Sequence, residues 1–183
     1  MRPIFIIHAG EYLVGSKIEE TFRGLDVWVP SKDTGIDLLV TDSEQNKLAS
    51  LQVKFSKDHL ATSKKEVSPE IKSGGWWKFN RTKLENSKAD YWVMVLHEFQ
   101  SHKSDFIVIS PKDLLSRYKK IHGDVKTIQS YFWITKKGRC WETRRPDVDA
   151  LKKIAEGEYK DKDRDFTQYL NKWPKRFGVA AKA

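Results

Sequence analysis

The 183-residue chain has one cysteine, Cys140. A single thiol excludes an internal disulfide framework, and this usage fits a reducing cytoplasm, the expected location. Long hydrophobic runs are also missing. Nothing approaches the roughly 20 apolar residues of a membrane span, and the start MRPIFIIHAGEY carries too short an apolar stretch for a secretory signal. The five histidines (His8, His59, His97, His102 and His122) show no metal-ligand spacing, and no cysteine pair is available for zinc. His97 and His102 flank a predicted loop and read as surface groups. Gly74-Gly75 lacks the lysine and Ser/Thr of a P-loop. Internal repeats and linker-like stretches are absent as well. Acidic charge is in deficit: 25 Asp and Glu stand against 34 Lys and Arg, a net charge of +9. That balance favours a polyanionic partner, nucleic acid ahead of an anionic membrane surface. A charge that only serves solubility is the alternative.

The remaining composition, 39% hydrophobic and 32% charged, suits one globular domain with its own core, spanning 1–183. Residues 3–8 read as a short strand or extended arm. From 9 to 22 the pattern is helical, with Val14, Ile18 and Phe22 four apart and Leu13 widening the stripe. Glu11 shares that face, and Gly15 is the position predicted to let the helix approach a neighbour. Residues 25–29 alternate like a strand. The runs 36–40 and 48–55, joined by a polar link, form a hairpin pattern. Residues 56–75 read as a long loop with possible helical turns, followed by an aromatic and basic stretch from Trp76. Residues 89–96 and 105–109 are predicted buried strands. Ser110 and Pro111 open a helix that Gly123 stops. Strands at 127–135 and 139–143 flank a tight turn, helices are predicted at 147–156 and 166–173, and Pro174 ends the last of these. The order implies an α/β fold: a mixed central sheet flanked by helices.

The hairpin holds polar residues where a strand centre is normally apolar. Asp37 lies in its first run. Gln52 and Lys54 lie two apart in its second, on one face. Burying such groups costs free energy unless they are used. The carboxylate of Asp37, the amide of Gln52, the carboxylate of Glu11 and the Val53 carbonyl make an all-oxygen set suited to Mg²⁺ or Mn²⁺. Lys54 can hold or activate an attacking water and stabilise charge developing on a phosphate. The same pattern also suits a structural hairpin in which Asp37 caps a turn and pairs with Lys54. Glu11 also suits a helix start on macrodipole grounds alone.

Residues GEYLVG (10–15), GID (35–37) and QVK (52–54) together resemble the PD-(D/E)XK nuclease superfamily, which includes restriction endonucleases and Holliday junction resolvases. The resemblance implies a restriction-endonuclease-like αβββαβ core at about 9–110, with additional C-terminal strands and helices at 111–183. It also implies metal-dependent DNA endonuclease activity. In it, Glu11 is similar to the helix glutamate of the resolvase-like branch, Asp37 to the metal-binding aspartate and Lys54 to the catalytic lysine. Gln52 stands where Glu or Asp is usual, and Ile36 takes the proline position, Pro30 lying seven residues before Asp37. The alternatives within this resemblance are a structure-specific, resolvase-like nuclease and a non-catalytic DNA-binding relative. Two-strand cutting implies a homodimer.

Between Lys54 and Lys88, nine Lys or Arg face four acids. Lys57, Lys64, Lys65, Lys72, Lys78 and Arg81 are the candidate phosphate contacts here. Trp76 and Trp77 are candidates for stacking on bases, with at least one of them expected in the core. A second basic cluster, Lys136, Lys137 and Arg139 with Arg144 and Arg145, suits a groove contact or a solvated turn. Cys140, in a strand pattern, is expected to be buried rather than nucleophilic.

Overall fold

The structure, a computed structural model, describes residues 9–32, 34–56, 68–98, 102–143 and 148–180. The first element, α1 (Ala9–Thr21), is followed by β1 (Leu25–Trp28), β2 (Leu38–Asp42) and β3 (Lys47–Ser56). The chain continues through β4 (Ile71–Asn80), the short α2 (Arg81–Glu85), β5 (Tyr91–Glu98) and β6 (Lys103–Ile109). After α3 (Pro111–His122) come β7 (Thr127–Thr135), β8 (Cys140–Thr143), α4 (Val148–Glu156), a 3₁₀ turn (Thr167–Tyr169) and α5 (Lys175–Ala180). The fold is α/β. One mixed sheet has the order β1-β2-β3-β5-β6, with β3 and β5 parallel and its other pairs antiparallel. The second sheet, β4-β7-β8, is antiparallel. No helix among the described residues is long and apolar enough to cross a membrane.

Side-chain alternation explains the layers. On β5, Val93 and Val95 face one way, and Trp92, Met94 and Leu96 the other. The first pair joins Val14 and Ile18 of α1, Leu38, Leu51 and Phe177 in one apolar cluster. The second set meets Trp77, Phe79, Ile128, Phe132 and α3 residues Leu114 and Tyr118 in another. The outer face of the second sheet is covered at one end, where Ile154 and Ala155 of α4 pack on Ile71, Trp133 and Trp141. Helix α3 has the expected cap: the Ser110 side chain accepts the Asp113 amide, and Gly123 follows its last turn. Cys140 is fully buried, and burial pushes its thiol well above the ordinary value. A buried carboxylate, Glu142, is fully satisfied by His122 (2.9 Å), Ser130 (3.0 Å) and Arg164 (2.7 Å).

Several expectations are corrected. The loop predicted at 56–75 is corrected at its end, where Gly74-Gly75 lie in the middle of β4; residues 57–67 lie outside the described residues. A Cβ on Gly74 would stand 2.7 Å from the Trp133 ring, and one on Gly75 would stand 2.4 Å from the Trp77 ring. Gly74 makes room for an indole from β7, and Gly75 for one from its own strand. The helix expected before β5 is, among the described residues, the five-residue α2 behind a ten-residue strand. Residues 166–173 hold one 3₁₀ turn, not a helix. Phe166 and Asn171 donate their amides to Cys140 and Phe106 carbonyls, so the segment is laid along the strands. Pro174 precedes a helix instead of ending one. Of the C-terminal strands, β7 pairs with β4 along its whole length. The predicted arm at residues 3–8 lies outside the described residues. Because Trp133 is itself buried and cannot swing away, Gly74→Ala is expected to destabilise the protein by about 1–3 kcal/mol. Urea denaturation checks this, and an unchanged midpoint would refute it.

Candidate active site

β2 begins at Leu38, opposite Leu51 of β3, and residues 52–56 of β3 run on beside β5 alone. The backbone on their other side needs partners. Asp37, immediately before β2, supplies one: its Oδ2 accepts the Val53 amide at 2.8 Å, while its own amide donates to the Leu51 carbonyl at 2.8 Å. The N-terminus of α1 packs over the same overhang. A Cβ at Gly10 would stand 2.7 Å from Phe55 Cβ and 3.3 Å from Val53 Cγ1, so Gly10 sets this close approach. Gly15, the predicted position, meets Val27 only at ordinary distance. The contact brings Glu11 inward, where it is 5% exposed; Asp37 is 8% exposed.

Glu11, Asp37, Gln52 and Lys54 all line one cleft of about 1150 Å³. Val53 lines it too. Lys54 Nζ lies 5.4 Å from the centre of the Trp92 ring, a cation–π contact. The indole of Trp92 donates to Ser87 Oγ at 2.8 Å, which orients the ring. The opposite wall comes from the end of β4 and from α2 and its exit: Lys78, Asn80, Thr82, Lys83, Asn86, Ser87 and Lys88. Four lysines thus border a cleft that has two carboxylates at its floor.

The other predicted contacts divide. Lys78 lies on the cleft wall and Trp76 is 43% exposed on β4. Trp77 is not available to a base: it is 5% exposed, and its indole donates to the Lys54 carbonyl at 3.2 Å. Arg81 is likewise held inside the protein, its guanidinium donating to the Val125 carbonyl at 2.8 Å and to the Gly123 carbonyl. Lys72 pairs with Asp105 at 2.7 Å and does not line the cleft. Lys136, Lys137 and Arg139 sit at the β7–β8 turn. Arg139 pairs with Asp165 at 2.6 Å, and with Lys137 it borders a separate cavity of about 580 Å³. Lys57, Lys64, Lys65, Arg144 and Arg145 lie outside the described residues. Sequence reasoning did not single out Lys83, Lys88, Asn80, Asn86 or Trp92. The two lysines had the basic composition of the segment as a signal. Trp92 had none, since only the β3–β5 register sets it opposite Gln52.

Compared with protein-family models, curated proteins and solved structures, the chain matches none of them. The chemistry therefore rests on the cleft itself. Among the described residues, no three His, Cys, Asp or Glu side chains form a metal-binding group. Two carboxylates and an amide remain, an oxygen-only donor set that fits a hard divalent cation better than zinc or copper.

Asp90 ties the β3–β5 pair together beneath this site. Its Oδ2 accepts the Ser50 amide (2.8 Å) and hydroxyl (2.7 Å), and Lys47 Nζ lies 3.3 Å away. Burial pushes its carboxyl up, but these partners outweigh burial and hold it below the ordinary value. A carboxyl depressed in the folded state adds stability above its unfolded pKa, and that stability is lost as pH falls through the folded one. Asp90→Asn is expected to cost about 1 kcal/mol at pH 7. The cost should persist down to about pH 4 and shrink below it. Urea unfolding across pH checks this, and a cost undiminished at about pH 2 would contradict it.

Proposed function

We propose that the chain is a metal-dependent DNA endonuclease of the restriction-endonuclease type, related to the PD-(D/E)XK nucleases. The observation that carries this reading is the convergence of Glu11, Asp37, Gln52 and Lys54 on one lysine-walled cleft. Glu11, Asp37 and Gln52 would hold Mg²⁺ or Mn²⁺, which when bound supplies Lewis acidity to a phosphodiester. Lys54, fixed over Trp92, would hold the attacking water and stabilise charge developing on the phosphate oxygens. Lys78, Lys83 and Lys88 would neutralise flanking phosphates and align the strand. Cutting both strands of a duplex calls for two such clefts, hence a homodimer, acting in the cytoplasm.

A second reading is favoured by one residue. Gln52 gives the donor set no third negative charge, which suits a DNA-binding relative that has lost cleavage. A resolvase-like nuclease acting on branched DNA is the remaining variant.

Plasmid cleavage in Mg²⁺ tests the first reading. Wild-type protein should convert supercoiled DNA to nicked and linear forms. Lys54→Ala should slow this by roughly 100-fold or more, with DNA binding largely kept. Cleavage unaffected by that variant would remove Lys54 from the mechanism. No cleavage by the wild type, with cleavage gained in Gln52→Glu, would establish the second reading. Activity confined to branched DNA would establish the resolvase variant.

A further inference from the structure

β4 has one face in the core and one outside it. Trp77 and Phe79 are buried, whereas Trp76, Lys78 and Asn80, which alternate with them, are exposed. Antiparallel pairing sets Tyr131, Gln129 and Thr127 of β7 beside Trp76, Lys78 and Asn80 on that outer face. Towards Trp133 the face lies under α4; from Tyr131 onward the described side chains are exposed or half-buried. The Trp76 and Tyr131 rings are neighbours, with centroids 6.1 Å apart and planes tilted by 33°. Lys78 follows two residues along the strand, about 7 Å away, and both Lys78 and Asn80 line the cleft. The strip is also locked against the strand that carries Lys54. Ser56 Oγ accepts the Trp76 amide at 3.0 Å, next to the bond from the Trp77 indole to the Lys54 carbonyl.

We propose that this strip binds a single-stranded segment of the nucleic acid, with an unpaired base stacked on Trp76 and Tyr131 and the phosphate chain led past Lys78 into the cleft. The inference rests on the nucleic-acid reading of the cleft and adds to it a preference for DNA with an unpaired stretch beside the cut. Bases inside a duplex already cover each other's faces, whereas an unpaired base offers its face to an aromatic ring whatever its identity. Lys78, which follows the ring pair along the strip, and Lys83 and Lys88 on the cleft wall beyond it carry the charge that a polyanion requires. A protein partner docking on the two rings would leave those ammonium groups unmatched.

Fluorescence anisotropy in EDTA, where nothing is cut, tests this with two labelled probes: a blunt duplex and the same duplex with a single-stranded tail. The tail should tighten wild-type binding about tenfold. Trp76→Ala and Tyr131→Ala should each lose most of that gain and keep blunt-duplex affinity within about twofold. Trp76→Phe should retain the gain. Thermal unfolding of Trp76→Ala should match the wild type, because Trp76 is exposed, whereas Tyr131→Ala loses a ring packed at the edge of the α4 cluster and is compared at a temperature where it is fully folded. Equal binding of both probes by the wild type, or a gain that survives in Trp76→Ala, overturns the proposal and leaves the endonuclease reading standing. Failure of the wild type to bind either probe overturns both. If Trp76→Ala keeps the gain but shifts the protein to a smaller oligomer, the strip is a contact between copies and the proposal falls.

Discussion

Where β2 gives out, the Val53 amide has no strand beside it, and the carboxylate of Asp37 takes the strand's place at 2.8 Å. An unpaired buried amide would cost about 1–3 kcal/mol, so this carboxylate is needed for the fold before any chemistry is considered. The overhang of β3 past β2 therefore creates a vacancy in the sheet and fills it with a carboxylate. Gln52 and Lys54 lie on that overhang, within reach of the same vacancy.

Glu11 reaches the vacancy by a different force. Burying Val14 and Ile18 favours docking of α1 by about 1.5–3 kcal/mol per side chain, and both are fully buried. Gly10 lets the helix end come down onto Val53 and Phe55. A glutamate four residues or fewer from that apolar stripe is carried inward with it, at a desolvation cost that apolar packing elsewhere on the helix offsets. β5 gives the arrangement its rigidity. It is apolar on both faces, and its register with β3 decides that Lys54 meets Trp92.

The parts of the site legible in the sequence are those set by local pattern. Asp37 and Lys54 betray themselves as charges in apolar runs, and Glu11 by its spacing from Val14 and Ile18. The Ser110 cap and the Gly123 stop are equally local. What could not be read depends on partners distant in the chain. Gly74-Gly75 has the composition of a turn, and the Trp133 ring arriving from β7 is what explains Gly74 inside a strand. Arg81 and Trp77 share the composition of a nucleic-acid contact, yet carbonyls at Gly123, Val125 and Lys54 claim them. Residues 166–173 have enough aromatic periodicity to suggest a helix, but the Cys140 and Phe106 carbonyls take two of their amides.

The lysines around the cleft fall into two electrostatic classes, and their positions decide which. Lys78, Lys83 and Lys88 are exposed, so salt screens them beyond a Debye length of about 8–10 Å. Their pull on a polyanion acts during approach and weakens as salt rises. Lys54 is half-buried against an indole, where screening is weak and the ammonium has little freedom to move. A charge held in that way changes little on binding and acts most strongly on charge that appears later at a fixed point. The outer three depend on β4 and α2, which Arg81 fastens to the α3–β7 connection, while Lys54 depends on β3 and β5. On the nuclease reading proposed above, guiding and reacting charges would therefore stand on separate supports. The indole of Trp77, reaching from β4 to the Lys54 carbonyl, is a direct bond that holds the two supports in register.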